Sequence, residues 1–352
     1  MAPTPGLLAQ LDDCIACGSC ERACPANVGY GELLDLTRDL PAVRAAEPRA
    51  RAVLRQLARR PRLLRLLLRL ARGLGHVGLS RAAGILDARA QRAVALAQAI
   101  PAAALTAAPE SAPASAADVV VLAGCIGAAS EGDTIAALAA QLRALGHRPL
   151  LLTDGSCCGA LARHAGDAAG AQAIEAATRA RLSPLRALPW LSLASGCQAA
   201  FAERIAAPLG ARVVDALAFI AEQHEGILQL APGAPRRVAW MAPCIQRALG
   251  DVLSTQALLS RIDGLDWIAL PEQPTCCGAG GAYFLDHPRI ADALAAERVA
   301  QIVASRVDAV VSANIGCRLH LRAALVAAGH PLPVLHPLAL LAPREQGTAD
   351  VI

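Results

Sequence analysis

From residue 118 onward, short and wholly apolar runs alternate with longer stretches of helical spacing. Asp118-Val119-Val120-Val121-Leu122-Ala123 predicts a buried strand that ends at Gly124-Cys125. Thr134 to Leu145 predicts a helix closed by Gly146, and Pro149-Leu150-Leu151-Leu152-Thr153 a second strand leading to Cys157-Cys158. A long helix then reaches Trp190-Leu191-Ser192-Leu193-Ala194 and Cys197. The same order starts again at Arg237-Val238-Ala239-Trp240-Met241, which runs into Cys244. Trp267-Ile268-Ala269-Leu270 then leads to Cys276-Cys277, and Ala309-Val310-Val311-Ser312-Ala313 to Cys317. Strands of this kind alternating with helices predict parallel sheets of the α/β class. Upstream, Gly31 to Leu36 reads as a short helix, 41–100 as basic helices, and the Ala/Pro/Ser-rich stretch 101–117 as a linker. The expected organisation is a mostly helical cysteine-bearing segment (1–40), a helical connector (41–100), the linker, and two repeated units at 118–231 and 236–352.

The cysteines sharpen this picture. All twelve fall into three groups of four, and two groups are copies: Cys125, Cys157, Cys158 and Cys197 recur 119 or 120 residues later as Cys244, Cys276, Cys277 and Cys317. Each adjacent pair is followed by glycine, Gly159 or Gly278. Every cysteine of the copies lies just past the C-terminal end of a predicted strand, the edge at which open α/β sheets bind ligands. Three loops thus bring four thiolates to one place, twice. The remaining group, Cys14, Cys17, Cys20 and Cys24, stands at the CxxCxxCxxxCP spacing closed by Pro25, an iron–sulfur signature. Zinc is a lesser alternative, since it favours two local CxxC or CxxH knuckles. Inert buried cysteines are a lesser one still, because they have no reason to recur in register.

Composition narrows the function. No basic-then-apolar leader opens the sequence, and adjacent cysteines suit disulfides poorly, so thiolates in a reducing cytoplasm are expected. A net charge of +4 and an aromatic content of 2% give nucleic acid neither a basic face nor stacking platforms. No run of 18 apolar residues exists, so no membrane span is expected. There is no lysine. Arg51, Arg55, Arg59, Arg62, Arg65, Arg69 and Arg72 recur at helical spacing with leucines between them, interrupted by Pro61. The leucines are expected to pack beneath the cysteine segment, leaving the arginines for an acidic partner or the anionic inner face of a membrane. Gly278-Ala279-Gly280-Gly281 lacks a P-loop lysine and reads as a tight turn around a metal centre. Asp215 and His336 occupy matching places in the copies and are expected to cap or to be buried.

These motifs together resemble the iron–sulfur subunit family of bacterial glycolate oxidase, related through its two cysteine-rich CCG domains to the cysteine-rich subunit of heterodisulfide reductase. The likeness runs over nearly the whole chain. It rests on Asp13-Cys14-Ile15-Ala16-Cys17 through Cys24-Pro25-Ala26-Asn27-Val28-Gly29-Tyr30, Gly124-Cys125, Cys157-Cys158-Gly159-Ala160 and Ala194-Ser195-Gly196-Cys197. It continues with Pro243-Cys244, Thr275-Cys276-Cys277-Gly278 and Ser312 to His320. The resemblance implies 4Fe–4S clusters, one on the N-terminal run and one in each CCG domain. It also implies a flavin-containing dehydrogenase partner that oxidises a 2-hydroxy acid, and a quinone or other acceptor downstream. The chain departs from the family twice. It carries one CxxCxxCxxxCP run where the family carries two, so a late start, local recruitment of Cys24 or a ligand supplied in trans are the ways to complete that cluster. Reductase-type CCG domains often end in CxxC; here the matching positions are Ala200 and His320, and His320 is a candidate extra iron ligand. Catalysis by the chain itself, as a disulfide or quinone reductase, is the rival expectation.

Overall fold

A computed structural model describes residues 4–44, 49–76, 88–106, 109–154, 156–224, 226–250, 252–273 and 276–343. Residues 77–87 of the expected connector, Thr275 and the segment 344–352 lie outside the described residues, as does the side chain of Arg51.

Two four-stranded sheets carry the duplication. The first is built from β1 (Val119–Leu122), β2 (Pro149–Leu152), β3 (Trp190–Ser192) and β4 (Val213–Asp215) in the order β2-β1-β3-β4. A short β5 (Leu228–Gln229) follows. The second sheet uses β6 (Arg237–Trp240), β8 (Asp266–Ala269), β9 (Ala309–Val311) and β10 (Val334–Leu335), ordered β8-β6-β9-β10, while β7 (Ile262–Asp263) pairs with β5. Reading β6, β8, β9 and β10 as β1, β2, β3 and β4 makes the two orders identical. All pairings between these strands are parallel. Leu122 pairs with Leu152 and with Ser192, as Trp240 pairs with Ala269 and Val311, so three strand ends stand level and release their loops at one edge. Val119, Val120 and Val121 have no exposure at all, which is why the run lacks polar alternation. Burying each contributes about 1.5–3 kcal/mol of transfer free energy.

The halves share one core. Val119, Leu138 and Leu191 of the first belong to the same apolar cluster as Val238, Trp240 and Leu338 of the second. Polar ties cross the same boundary: Gln141 donates to the Ala342 carbonyl at 2.8 Å, Asn314 reaches Ser195 Oγ at 3.3 Å, and Arg318 pairs with Glu131. Asp215 caps the helix after β4 by accepting from the amides of Leu217 and Ala218, and His336 accepts from the Leu338 amide through Nδ1, the capping and burial expected of both.

The connector folds differently from expectation. Helix Arg49–Ala58 stops and helix Pro61–His76 begins with proline in its first turn, where the missing N–H is not needed. Four of these arginines reach back to the protein: Arg55 pairs with Asp167 at 3.3 Å, Arg65 donates to the Ala128 carbonyl, Arg69 to Leu105 (2.7 and 3.0 Å) and Arg72 to Gln98 (3.0 Å) and Ile100, while Arg59 and Arg62 stay exposed. Pro61, Leu64 and Leu68 pack with them, but Leu63, Leu66, Leu67 and Leu70 are exposed. Carbonyls at loop and helix ends need donors that leucine cannot supply, and the long arginines reach them. The stretch read as a linker is packed as well: Ala104 and Leu105 are buried, and Ser111 accepts from the Leu151 amide at the sheet edge.

Candidate metal centres

The first set assembles at the edge of the first sheet. Cys125 opens helix Cys125–Ser130 directly after β1, the Cys157-Cys158 pair sits in the loop after β2, and Cys197 rides on helix Ser195–Ala200 after β3. Cys125 meets Cys157, and Cys158 meets Cys197, through their side chains. A Cβ at Gly124 would stand 3.5 Å from Cys197 Sγ, so the turn after β1 lies against the third loop. The sharing of protons is uneven. The Cys125 thiol donates to Cys157, and with the Gly159 amide and the charge of Arg59 it brings Cys157 down to about 7 despite burial. The same contact pushes Cys125 well up, as contact with Cys158 and burial do for Cys197.

The second set repeats the arrangement with deeper burial. Cys277 Sγ lies 2.7 Å from Cys317 Sγ, Cys276 touches both Cys244 and Cys277, and the Gly278 amide reaches Cys276 Sγ at 3.4 Å. All four thiols are pushed up, Cys244 first by its contact with Cys276 and then by burial and the neighbouring sulfurs. Four such thiols ionise together only around a cation that replaces their protons. Among the described residues, no group of three or more His, Cys, Asp or Glu is gathered around one point as a lone metal ion requires. The sulfurs touch pairwise, and the donor set is of thiols alone, the ligand chemistry that iron–sulfur clusters use.

The glycine after each pair has a steric reason. Gly278 has φ +88°, and a Cβ there would collide with the Ala291 carbonyl and come 3.0 Å from His320 Nε2. Gly159, at φ +79°, would meet the Glu175 side chain at 3.2 Å. Only glycine turns here while bringing its amide to sulfur. His320 is buried over the Gly278 turn; its Nε2 approaches the Ala291 carbonyl at 3.3 Å and its ring is tilted against Phe284. Burial lowers its basicity.

The N-terminal run is more open. Cys20 is exposed, while Cys14, Cys17 and Cys24 are half-buried. Amides of Val28 and Ala26 hold Cys24 below the usual thiol range. The loop is pinned from two sides: buried Arg38 donates to the Cys14 carbonyl at 2.6 Å, and the Tyr283 hydroxyl donates to Asp13 at 2.7 Å. Ile15 packs onto Gly280, where a Cβ would lie 2.5 Å from its Cγ1. Cys17 is near enough to bear electrostatically on Cys244. The Gly278–Gly281 turn is therefore also the seat of the N-terminal loop, which its glycine content alone did not disclose. Arg38 and Tyr283 hold this loop in place, and no motif marks them.

A fold of two duplicated parallel sheets with cysteine-bearing loops defines the class. The cysteine-rich CCG domain family matches residues 119–202 and 238–322, and the 4Fe-4S binding domain family matches 10–28. Among characterised relatives, the glycolate oxidase iron-sulfur subunit of Escherichia coli (strain K12) is 28% identical over 341 residues, covering 89% of this chain and 78% of that protein. Lactate utilization protein A of Oceanobacillus iheyensis is 25% identical over 35% of the chain and 50% of its own length. One subunit of the fumarate reductase (CoM/CoB) of Methanothermobacter marburgensis is 32% identical over 32% of the chain and 23% of its own length. The chain is a homologue of the glycolate oxidase iron–sulfur subunit, with two CCG domains and a ferredoxin-type segment, and it is a 4Fe–4S protein.

Proposed function

We propose that the chain is the electron-transfer subunit of a glycolate- or lactate-oxidising complex, carrying electrons from a flavin-containing partner toward the respiratory chain. Cys125, Cys157, Cys158 and Cys197 hold one centre, Cys244, Cys276, Cys277 and Cys317 a second, and Cys14, Cys17, Cys20 and Cys24 a third. The observation that carries this reading is the convergence of sulfurs from three loops in each half, with Cys17 near enough to Cys244 to bear on it electrostatically. The iron–sulfur groups would supply one-electron chemistry; this chain's residues would hold them and set their spacing. The substrate is oxidised on the partner. Two tests decide. EPR of the anaerobically reduced protein should show cluster signals altered separately by Cys157→Ser and Cys276→Ser. The purified chain should oxidise no glycolate until a flavoprotein is added; turnover without one overturns the reading.

The outward leucines of helix Pro61–His76 dock on an anionic lipid surface at the inner face of the membrane. Leu63, Leu66, Leu67 and Leu70 form one apolar strip beside exposed Arg59, Arg60 and Arg62, and the helix holds no acid.

A second reading is favoured by the likeness to the CoM/CoB fumarate reductase. In it the chain itself would reduce a disulfide or a quinone: the cysteines of a CCG domain would hold the group that supplies two electrons, and two protons would complete two thiols or a hydroquinone. Release of thiols from a mixed disulfide by the reduced chain alone would select it. Ala200, where a fifth thiolate would stand in the first copy, weighs against it there.

A further inference from the structure

A cavity of about 860 Å³ lies between helices Ala88–Ala99, Pro288–Ala304 and Ile315–Ala327. Its walls are alanine, leucine and valine, with Phe284 offering an aromatic face. The polar groups sit at two levels. Arg92 and Asp292, joined as a two-pronged ion pair, and exposed His330 stand at the open side, while His320 is buried in the inner wall. The inner wall is also the roof of the second cysteine set. Val299, Val303 and Ala324 line the cavity and pack in the apolar cluster that contains Cys277 and Cys317. His320 lines the cavity and stands over Gly278, the residue after Cys277, so the cavity wall borders the turn that carries the thiols.

We infer that this cavity binds a quinone, the acceptor of the electron-transfer function proposed above, on which the inference rests. The volume suits a substituted ring with a short stretch of its tail. The lining is apolar where the ring and tail would lie, and a flat ring can stack on Phe284. A fatty acid or a sterol would gain nothing from lying against the wall that borders the Cys276-Cys277 turn; a quinone would. Reduction is balanced by two electrons from the reduced iron–sulfur protein and two protons from water at the open side. The quinone leaves as hydroquinone and the protein is left oxidised by two electrons.

The test is binding, read apart from turnover. Decylubiquinone and menadione are titrated into the anaerobic, cluster-loaded protein, and bound ligand is measured by equilibrium dialysis. One saturable site per chain is expected. Narrowing the cavity with Ala296→Trp or Ala300→Trp, both exposed lining positions, should weaken it at least tenfold with iron content and melting temperature unchanged. Bound decylubiquinone should also shift the EPR signal that Cys276→Ser alters and leave the one that Cys157→Ser alters. Absence of saturable binding, equal affinity in both variants, or equal affinity for decanoic acid overturns the inference. A protein that accepts electrons from a flavoprotein yet binds no quinone would sink this site and leave the function standing. One that binds quinone but carries no iron would do the reverse.

Discussion

At Gly278 a left-handed backbone, a carbonyl in the way and a nearby imidazole coincide. Gly278→Ala should cost about 1–3 kcal/mol of stability and lower the iron content of the second centre, as read by denaturant unfolding and metal analysis. Gly159→Ala should cost less, because its Cβ would press first on the flexible Glu175 side chain at 3.2 Å rather than collide with backbone. A second residue-scale effect concerns His336. Its ring is buried, its Nε2 meets the Leu193 carbonyl at 3.2 Å, and burial followed by the charge of Arg318 holds its proton affinity well below the ordinary value of 6.5. The groups sharing its recess are Glu131, Asp133, Arg318 and Arg322. Because the folded state refuses a proton that the unfolded chain accepts, this stability is complete above about pH 6.5. Below that it is lost by up to about 1.4 kcal/mol per pH unit. Melting temperature should fall from pH 7 to 5.5, and His336→Gln should flatten the slope; an unchanged slope would refute the assignment.

Among the elements, helix Pro61–His76 shows what periodicity discloses and what it hides. Its sequence displays an arginine stripe and leucines on more than one side, and spacing alone does not say which faces inward. The inward choice was decided by acceptors elsewhere in the chain, the carbonyls of Leu105, Gln98 and Ile100. The strands, by contrast, were legible because a doubly covered strand has no polar residue to confuse the pattern. β5 and β7 were not, since two-residue pairings leave no periodic trace. For the outward face, the full-length protein should float with vesicles containing anionic lipid. Leu66→Ser with Leu70→Ser should reduce binding at least tenfold, given about 1.5–3 kcal/mol per leucine buried. Retained flotation would exclude this face as the contact.

For the whole molecule, the duplication and its cysteine sets could be read from spacing, but the way the halves meet could not. Ion pair Glu131–Arg318 joins them with both side chains almost fully buried. Glu131→Gln strands a buried guanidinium and should cost about 3–5 kcal/mol, whereas Glu131→Leu with Arg318→Met together should cost less, as thermal melts of the three proteins would reveal. The partly open N-terminal loop was likewise recognisable by its cysteines, yet its resting place was not. It depends on Tyr283, Gly280 and Arg38, which belong to no repeating signal.

That resting place sets the two halves apart. Ile15 and Asp13 lean on the later half alone, while the following helix Tyr30–Arg38 reaches the earlier half through Asp35 and His164. Two modules that began as equals are thereby made unequal: one is a neighbour of the ferredoxin-type loop and the other stands a step further off. That asymmetry of contact arises without any change in the order of the strands.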